Sequence, residues 1–292
     1  RASGSATLSN ILVIFQFVVS ISLIICAVVI YAQRDHASKI ELGYDKDHIV
    51  ILHGVGRETL VPRQKAIQQQ IKALPGIISA SYIELFPSTG AQRTSELTVI
   101  DGDNLTKHNA SFKFIDSEYQ QTFDAKLLSG RMFDLSYGQD VPPSPEQFDN
   151  NPGPFEINVL INELAVKQFG FGDEPNDAIG KTFQLEWPMI VNATIVGVIA
   201  NTNYRTIRDP LTPEFYLFDV NGAGFLAVHF KGSPIAAEKI LKNYWQENIT
   251  DVPFVRTLVS ETVEAQFVEE QRMSVMLAVA SSLAVMVACM GL

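Results

Sequence analysis

The sequence predicts a mixed α/β (α+β) domain inserted between two membrane-spanning helices. Two apolar runs near the ends of the chain support this prediction. Ile11–Ala32 has 22 residues, Met273–Leu292 has 20, and neither contains a formal charge. A helix needs about 20 apolar residues to cross the hydrocarbon core of a bilayer. The stretch between the runs, 33–272, contains every charged side chain except Arg1 and has a net charge of −11. The expected topology is a membrane hairpin that displays one large acidic domain.

The first apolar run is interpreted as a membrane helix, not as a cleaved signal peptide. A signal peptide has a core of about 7–15 apolar residues followed by a small-residue cleavage site. This run is longer and continues directly into the charged stretch Gln33–Lys39. We assign residues 1–10 to a cytoplasmic flank and 11–32 to the first transmembrane helix. The long acidic loop is placed outside the cytoplasm, because long loops cross a membrane largely regardless of charge.

Cysteine usage shows how the loop between the runs must be stabilised. Both cysteines, Cys26 and Cys289, lie inside the apolar runs. The loop therefore has no disulfide, and it must depend on its own hydrophobic core.

Apolar alternation and breaker residues predict the elements of the first half of the loop. Pro62–Leu74 has helical spacing and is stopped by Pro75-Gly76. Gly138–Pro154 is rich in Pro, Asp and Asn, and is predicted to be a surface loop of a length that is usually functional or mobile. The other predicted elements are strands at His48–His53, Ile77–Phe86, Glu96–Ile100 and Ser111–Ile115, and a short helix at Ser117–Phe123.

The second half of the loop alternates between strands and helices in the same way. Asn162–Phe169 is predicted to be a helix capped by Asn162. Pro234–Asn248 is predicted to be an amphipathic helix that packs on a sheet through Ile235, Ile240, Leu241, Tyr244 and Trp245. Strands are predicted at Ile157–Ile161, Lys181–Glu186, Val191–Ile199, Phe215–Val220, Phe225–Phe230 and Phe254–Val259. This interleaving indicates a mixed α/β or α+β class.

The segments that join the loop to the apolar runs are predicted to be helical stalks, 33–47 and 260–272. Ser260–Arg272 consists of good helix formers, places Val263 and Phe267 at i,i+4, and has no breaker before Met273. An ordinary juxtamembrane helix and a mechanical rod both fit this pattern.

Motifs for catalysis, metals and nucleic acids are missing from the sequence. The five histidines lack metal-ligand spacing such as H-E-x-x-H, and no G-x-S-x-G motif occurs. Pro175–Thr182 ends in the Gly-Lys-Thr of a phosphate loop but begins with proline, so it is interpreted as a turn into a strand. The negative charge argues against a nucleic-acid partner. We therefore expect no enzyme activity, cofactor or metal on this chain.

Small and polar residues within the apolar runs predict helix packing. Gln16 and Ser20 are spaced i,i+4, while Ala280, Ala284 and Ala288 form a small-x-x-x-small ladder. Such residues let membrane helices approach closely, within one chain or between protomers.

The order of several short motifs resembles that of MacB/FtsX-like permeases of ABC transporters. The resemblance spans nearly the whole chain, and its specificity comes from the ordered set. The motifs are Phe15-Gln16-Phe17 with Ser20, Tyr31-Ala32-Gln33, Leu42–Asp47 (LGYDKD), Asp116 with Tyr119, Thr122 and Phe123, Gly130-Arg131-x-Phe133, Leu160–Glu163 (LINE), Ile179-Gly180-Lys181, Ile195–Val198 (IVGV) and Gly291-Leu292. The sequence departs from the family at Ala200–Tyr204, where an expected acidic residue is missing.

The resemblance implies a permease unit of four helices, of which this chain carries the first two, 11–32 and 273–292, and the external domain. In that family the domain has two lobes. We map a membrane-proximal lobe to 48–115 and 214–259, and an inserted lobe to 116–213.

Partners, location and mechanism are also implied by the resemblance. The partners would be a cytoplasmic ABC ATPase that binds the ATP, a second permease unit (a homodimer or an internal repeat), a periplasmic adaptor and the lipid bilayer. The location would be the bacterial inner membrane, multi-pass, with the domain in the periplasm. Mechanotransmission would drive export or extraction of peptides, lipoproteins or antimicrobial compounds. The sequence itself suggests Phe148 and Phe155 as the candidate recognition residues, because they flank the Pro/Asn-rich loop and are expected to be hard to bury there.

A two-helix membrane sensor with an external ligand-binding domain, such as a histidine kinase or chemoreceptor, is the alternative. It has the same hairpin topology. The coding sequence downstream of Leu292 distinguishes the two, because a permease continues with two more apolar runs and a sensor with a charged, heptad-rich segment.

Overall fold

The computed structural model describes residues 3–38, 42–87, 89–102, 104–141, 143, 154–186, 190–205, 209–218, 224–266 and 268–291. Two compact units divide the chain. One is a helical unit, Arg1–Ile40 with Glu264–Leu292, and the other is Glu41–Val263, which we call the domain.

The helical unit contains α1 (Ser3–Ser38) and α7 (Val268–Gly291), which contact each other. Both apolar runs are thus helical where they are described. Helix α1 continues beyond Ala32 to Ser38, as predicted, but Leu42–His48 at the entrance to the domain is irregular. Within the described residues, one helix is long and apolar enough to cross a membrane, at Ile14–Ala32.

The predicted continuous helix from residue 260 into the second apolar run is wrong. Helix α6 (Val259–Ala265) ends before α7 begins, and Gln266 between them lies in a turn. Val259 and Val263 are buried, so α6 is held by its packing and does not stand free as a rod.

Four strands and two helices build the first hydrophobic core. The strands are β1 (Ile49–His53), β2 (Ile77–Ile83), β10 (Phe225–Phe230) and β11 (Arg256–Leu258), and the helices are α2 (Gln64–Lys72) and α5 (Pro234–Asn248). The strand order β11-β1-β10-β2 is antiparallel throughout. With the units β1-α2-β2 and β10-α5-β11, this is a split βαβ arrangement.

Helices α2 and α5 both bury an apolar face in this first core. Ile67 and Ile71 of α2 pack with Leu241 and Trp245 of α5, as helical spacing predicts. Ile235 is the exception among the predicted residues: it is 81 % exposed, because at 3.6 residues per turn it points away from the face on which Ala237, Leu241 and Tyr244 are buried.

Six strands form a closed ring around the second hydrophobic core. Each strand is hydrogen-bonded to two neighbours, in the order β4-β3-β7-β8-β6-β9 and back to β4. The ring strands are β3 (Arg93–Asp101), β4 (Asn104–Ile115), β6 (Phe155–Asn162), β7 (Thr182–Glu186), β8 (Ile190–Ile199) and β9 (Glu214–Phe218). The short strand β5 (Leu127–Gly130) pairs with β8 outside the ring. Helix α4 (Glu163–Gln168) contributes Ala165 and Val166 to the core.

The division of residues between the two cores differs from the predicted lobe boundaries. Residues 93–115 and 214–218 are assigned from the sequence to the membrane-proximal lobe, but Leu97, Phe112 and Phe215 pack in the second core with β6 and β8. Strand pairing explains why these residues belong to the second core. Strand β4 pairs along its length with β3 and β9, but it pairs with β2 only at Ile83 and Ile115.

Candidate functional site

Aromatic rings from four separate parts of the domain meet in what we call the tyrosine cluster, formed by Tyr44, Tyr119, Phe123, Tyr204 and Tyr216. The ring of Tyr44 lies 6.3 Å from that of Tyr204 and 6.4 Å from that of Phe123, in edge contacts. Tyr119 lies 4.8 Å from Phe123 and 6.1 Å from Tyr216. Tyr119 and Phe123 belong to the short helix α3 (Tyr119–Phe123). Burial raises the pKa of Tyr119, Tyr204 and Tyr216, so these hydroxyls stay protonated at neutral pH.

A buried ion pair lies against this cluster. Lys113 Nζ of β4 is 2.7 Å from Glu214 Oε2 of β9, and the two side chains are only 8 % and 6 % exposed. The Tyr216 hydroxyl donates to the same Glu214 oxygen at 2.5 Å. Lys113 Nζ also lies 4.0 Å from the ring centroid of Tyr204, within cation–π range. Burial lowers the pKa of Lys113, and the Glu214 carboxylate opposes this shift.

The segment that leads into the domain is attached beside the tyrosine cluster. The amide of Asn203 donates to the carbonyl of Leu42 at 2.9 Å, and Leu42 is buried. Gly43 has φ +82°, and a Cβ there would lie 3.0 Å from Thr202 Cγ2 and 3.2 Å from the Asn201 carbonyl oxygen. The loop between β8 and β9 therefore holds the entrance segment, Leu42–Tyr44, through a close backbone contact.

Asp116 joins the two cores through hydrogen bonds. The residue follows β4 and is 2 % exposed. Its carboxylate accepts four hydrogen bonds. The donors are Ser81 Oγ at 2.6 Å, the Tyr82 amide at 2.8 Å, Gln68 Nε2 at 2.6 Å and the Glu118 amide at 2.9 Å. Burial raises the pKa of Asp116, while the four donors favour the charged carboxylate. Because Ser81, Tyr82 and Gln68 belong to β2 and α2, this one side chain ties the first core to the end of β4.

The segment after β5 is held by a second buried carboxylate, Asp140. Arg131 forms a two-pronged ion pair with Asp140, at 2.6 and 2.9 Å. The side-chain amide of Asn158 donates to Asp140 Oδ1 at 2.6 Å, and the backbone amide of Asp134 donates to Asp140 Oδ2 at 2.7 Å. Burial alone would raise the pKa of Asp140, but these donors hold it below its ordinary value.

The depressed pKa of Asp140 predicts acid-linked stability. The folded protein binds the proton of this carboxyl more weakly than the unfolded chain, so the stabilisation is present above the unfolded value of about 3.9 and is lost as pH falls through the lower folded value. We expect Asp140→Asn to flatten the fall in stability between about pH 5 and pH 2. Chemical denaturation of the full chain in detergent across this range measures the slope. The exposed Asp173→Asn is the control, and an unchanged slope in Asp140→Asn would contradict the prediction.

At the exit from the domain, Arg256 of β11 connects α5 with α6. Its guanidinium lies 2.8 Å from Glu238 of α5 and 2.7 Å from Glu261 of α6. The Arg256 hydrogen bond lowers the pKa of Glu261. Val263, predicted to lie in a stalk, is instead 4 % exposed in the last turn of α6. Its predicted partner Phe267 lies outside the described residues.

Comparison with solved structures finds similar domains, including the following three. The periplasmic region of MacB from Actinobacillus actinomycetemcomitans matches with a TM-score of 0.45 and 15 % identity, over 78 % of this chain and 94 % of that one. The extracellular domain of the noncanonic ABC-type transporter YknZ from Gram-positive bacteria matches with a TM-score of 0.40 and 12 % identity, over 72 % and 98 % of the two chains. A domain of a protein assigned as a permease from Porphyromonas gingivalis matches with a TM-score of 0.42 and 16 % identity, over 73 % and 90 %.

This chain is similar to MacB-type extracytoplasmic domains. No protein-family model matches the sequence, and no curated protein matches it.

In the helical unit, the predicted packing residues differ in how far they are buried. Ser20 is 2 % exposed, and its hydroxyl donates to the Gln16 carbonyl of the same helix at 2.8 Å, so a role in packing between helices stays a prediction. Gln16 itself is half-buried. Ala280 is exposed, and its neighbour Ser281 is the buried residue, at 6 %. The side chains of Ala284 and Ala288 lie outside the described residues, so a contact through the alanine ladder remains a prediction.

Of the two candidate recognition residues, one lies within the described residues. Phe155 begins β6 and is half-buried against the second core, so the expectation that it is hard to bury is wrong. Phe148 lies outside the described residues. A recognition role for either residue remains a prediction.

Two of the sequence motifs considered for metal or phosphate binding can be examined in the described residues. Those residues contain no group of three or more His, Cys, Asp or Glu side chains able to hold a metal ion. Gly180 and Lys181 form the predicted turn into a strand: the Gly180 amide donates to the Ile195 carbonyl at 2.8 Å, and β7 begins at Thr182.

Sequence reasoning missed the ion pair of Lys113 and Glu214. Each residue adjoins aromatic and aliphatic strand residues, in FKFI and EFYLF. A lone charge inside such a run is a signal for a buried, paired group.

Proposed function

We propose that this chain is the first part of the permease subunit of a MacB/FtsX-like ABC transporter and works by mechanotransmission. ATP would be hydrolysed by a cytoplasmic partner, and the movement of the membrane helices would be passed to the domain. The observation that carries this proposal is the meeting of two of the family-like motifs, Leu42–Asp47 and the set of Asp116, Tyr119, Thr122 and Phe123. The ring of Tyr44 contacts that of Phe123, and Tyr204 from the loop between β8 and β9 packs against both rings.

The attachment of the two connecting segments supports a mechanical role. The entrance segment is held by the loop between two strands of the second core, through Asn203. The exit is held in the first core, through Leu258 and the Arg256 ion pairs with α5 and α6. A displacement of one connection relative to the other would therefore load the junction between the cores, where Asp116 lies. Domain motions of this kind occur on microsecond to millisecond timescales or more slowly.

The proposal places the chain in a bacterial inner membrane as part of a multi-pass protein, with the domain in the periplasm. Its partners would be the ATPase, a second permease unit, a periplasmic adaptor and the surrounding lipid. Peptides, lipoproteins and antimicrobial compounds are the proposed cargo classes, with Phe148 and Phe155 as candidate contacts. The chain itself would catalyse no reaction.

We expect ATP binding to the partner to change the distance between the two connections. Spin labels at Asp47 and Glu264, both exposed, can be introduced in a Cys26→Ser, Cys289→Ser background. The full-length permease with its ATPase in lipid nanodiscs is then measured by pulsed electron paramagnetic resonance. Labels at Lys65 of α2 and Lys239 of α5 are the control pair, because both helices pack in the first core and should keep their separation.

Two results would contradict the proposed function. One is the same distance distribution for the Asp47–Glu264 pair with and without ATP. The other is hydrolysis of ATP by the purified full-length permease in the absence of any partner.

A further inference from the structure

The buried pair of Lys113 and Glu214 has a position that core packing alone does not require. A charge removed from water is costly unless it is paired and hydrogen-bonded, and an apolar pair of similar size often stabilises a protein as well or better. Here Glu214 receives the Lys113 ammonium and the Tyr216 hydroxyl, and its backbone amide donates to Asn162 Oδ1 at 3.0 Å. The pair is thus firmly positioned from within the ring of strands.

The ammonium of Lys113 is directed at the loop that holds the entrance segment. Its nearest aromatic ring is that of Tyr204, at 4.0 Å, compared with 5.5 Å for Tyr216. Tyr204 is 4 % exposed, and its hydroxyl donates to the carbonyl of Leu85. A desolvated cation over a tyrosine face contributes more than the same contact in water.

Tyr204 in turn is the neighbour of the residue that binds the entrance segment. Asn203 donates its amide to Leu42, and the ring of Tyr204 touches that of Tyr44. Glu214, Lys113, Tyr204 and the entrance segment therefore form one continuous line of contacts. The strand end of this line is held by backbone pairing between β4 and β9. At the other end, residues 200–205, which are described, contain no strand.

We propose that Lys113, held by Glu214, is a positioning residue that keeps Tyr204 in place and thereby locks Leu42–Tyr44 against the domain. Removing the cation would release this lock while leaving both cores folded. The inference deepens the proposed function, since a firm entrance segment is what a moving helix would need. It can nevertheless hold if the chain has no role in transport.

Hydrogen–deuterium exchange of the full chain in detergent tests this directly. In Lys113→Met we expect peptides covering Leu42–His48 and Ala200–Arg205 to exchange about tenfold faster, because their protection depends on a local opening that the cation–π contact opposes. Peptides from α5 should be unchanged. Lys107→Met is the matched control. Lys107 lies on the same strand and pairs with Glu96, but both side chains of this pair are more than half exposed, so the variant should behave as wild type.

Two further variants separate positioning from charge balance. Tyr204→Leu should release the same peptides with the ion pair intact, and Tyr204→Phe, which keeps the ring but loses the hydrogen bond to the Leu85 carbonyl, should release them less than Tyr204→Leu. Lys113→Met combined with Glu214→Gln removes both charges of the pair and should still release the entrance segment.

Wild-type exchange in this double variant, or in Tyr204→Leu, would overturn the proposal. So would equal acceleration in every peptide of a Lys113→Met protein. If Lys113→Met does not fold, Tyr204→Leu and the double variant decide. None of these readouts uses ATP, so their failure is distinguishable from failure of the proposed function.

Discussion

Replacing Asp116 with alanine is expected to lower the free energy of unfolding by about 3–5 kcal/mol. The substitution leaves four donors without their acceptor: Ser81 Oγ, Gln68 Nε2 and the amides of Tyr82 and Glu118. Buried donors left unpaired lose the full free energy of their hydration, and hydrogen bonds to a charged acceptor are about twice as strong as neutral ones. Few single substitutions in this domain should destabilise it more.

Chemical denaturation followed by tryptophan fluorescence measures this effect, because Trp245 is buried in the first core. Asp116→Asn should have an intermediate effect, since its amide oxygen still accepts while its NH₂ group faces donors. The exposed Asp173→Ala provides the control and should change stability by no more than about 0.5 kcal/mol. A loss below about 1 kcal/mol in Asp116→Ala would show that the four hydrogen bonds are replaced by water or by rearrangement.

The second large effect is expected for Gly130→Ala, at about 3 kcal/mol or more. Gly130 has φ +75°, which disfavours any residue with a Cβ, and the added atom would lie 2.2 Å from the Val196 carbonyl oxygen. Gly197 on the facing strand is in the reciprocal position, with its Cβ site 2.2 Å from the Arg131 carbonyl oxygen. Strands β5 and β8 would have to separate, which would also displace Arg131 from Asp140.

Gly170→Ala is a matched control for this prediction. Gly170 has the same φ, +75°, but nothing lies within 4 Å of its Cβ site. The control should therefore show only the backbone strain, about 1–2 kcal/mol. The difference between the two variants, measured by denaturation, reports the close approach of β5 to β8. Equal losses of unfolding free energy in both variants would contradict the prediction, because they would mean that β5 moves away from β8 without a measurable loss of stability.

Several features of the fold follow from local sequence patterns. The apolar runs became helices, Pro234–Asn248 is helical over the predicted span, and Asn162 caps its helix by accepting the Ala165 amide at 3.0 Å. Strands β1 and β10 also lie where alternation predicts them. These signals are local: helix periodicity, capping and strand alternation each need only a few neighbouring residues.

Other elements were missed because a distant partner forms them. Leu127–Gly130 is too short to be recognised alone and becomes β5 through β8. The outer half of β4 is polar and exposed, and it is a strand because β3 pairs with it across the turn at Asp101-Gly102. The lobe boundaries failed for the same reason, since non-local pairing places β3, β4 and β9 in the second core.

The sequence by itself determined that this chain has two apolar helices around an acidic, disulfide-free α/β domain, and which of its short motifs resemble those of a transporter family. Only the tertiary structure decided that two of those motifs, represented by Tyr44 and Phe123, meet at the entrance, that Lys113 pairs with Glu214 nearby, and that Asp116 joins the two cores. The physical reason is the range of the interactions. Hydrophobic periodicity can be recognised within a few neighbouring residues. The hydrogen-bonding partners of a buried charge can lie anywhere in the sequence: Glu118 is 2 positions from Asp116, and Glu214 is 101 positions from Lys113.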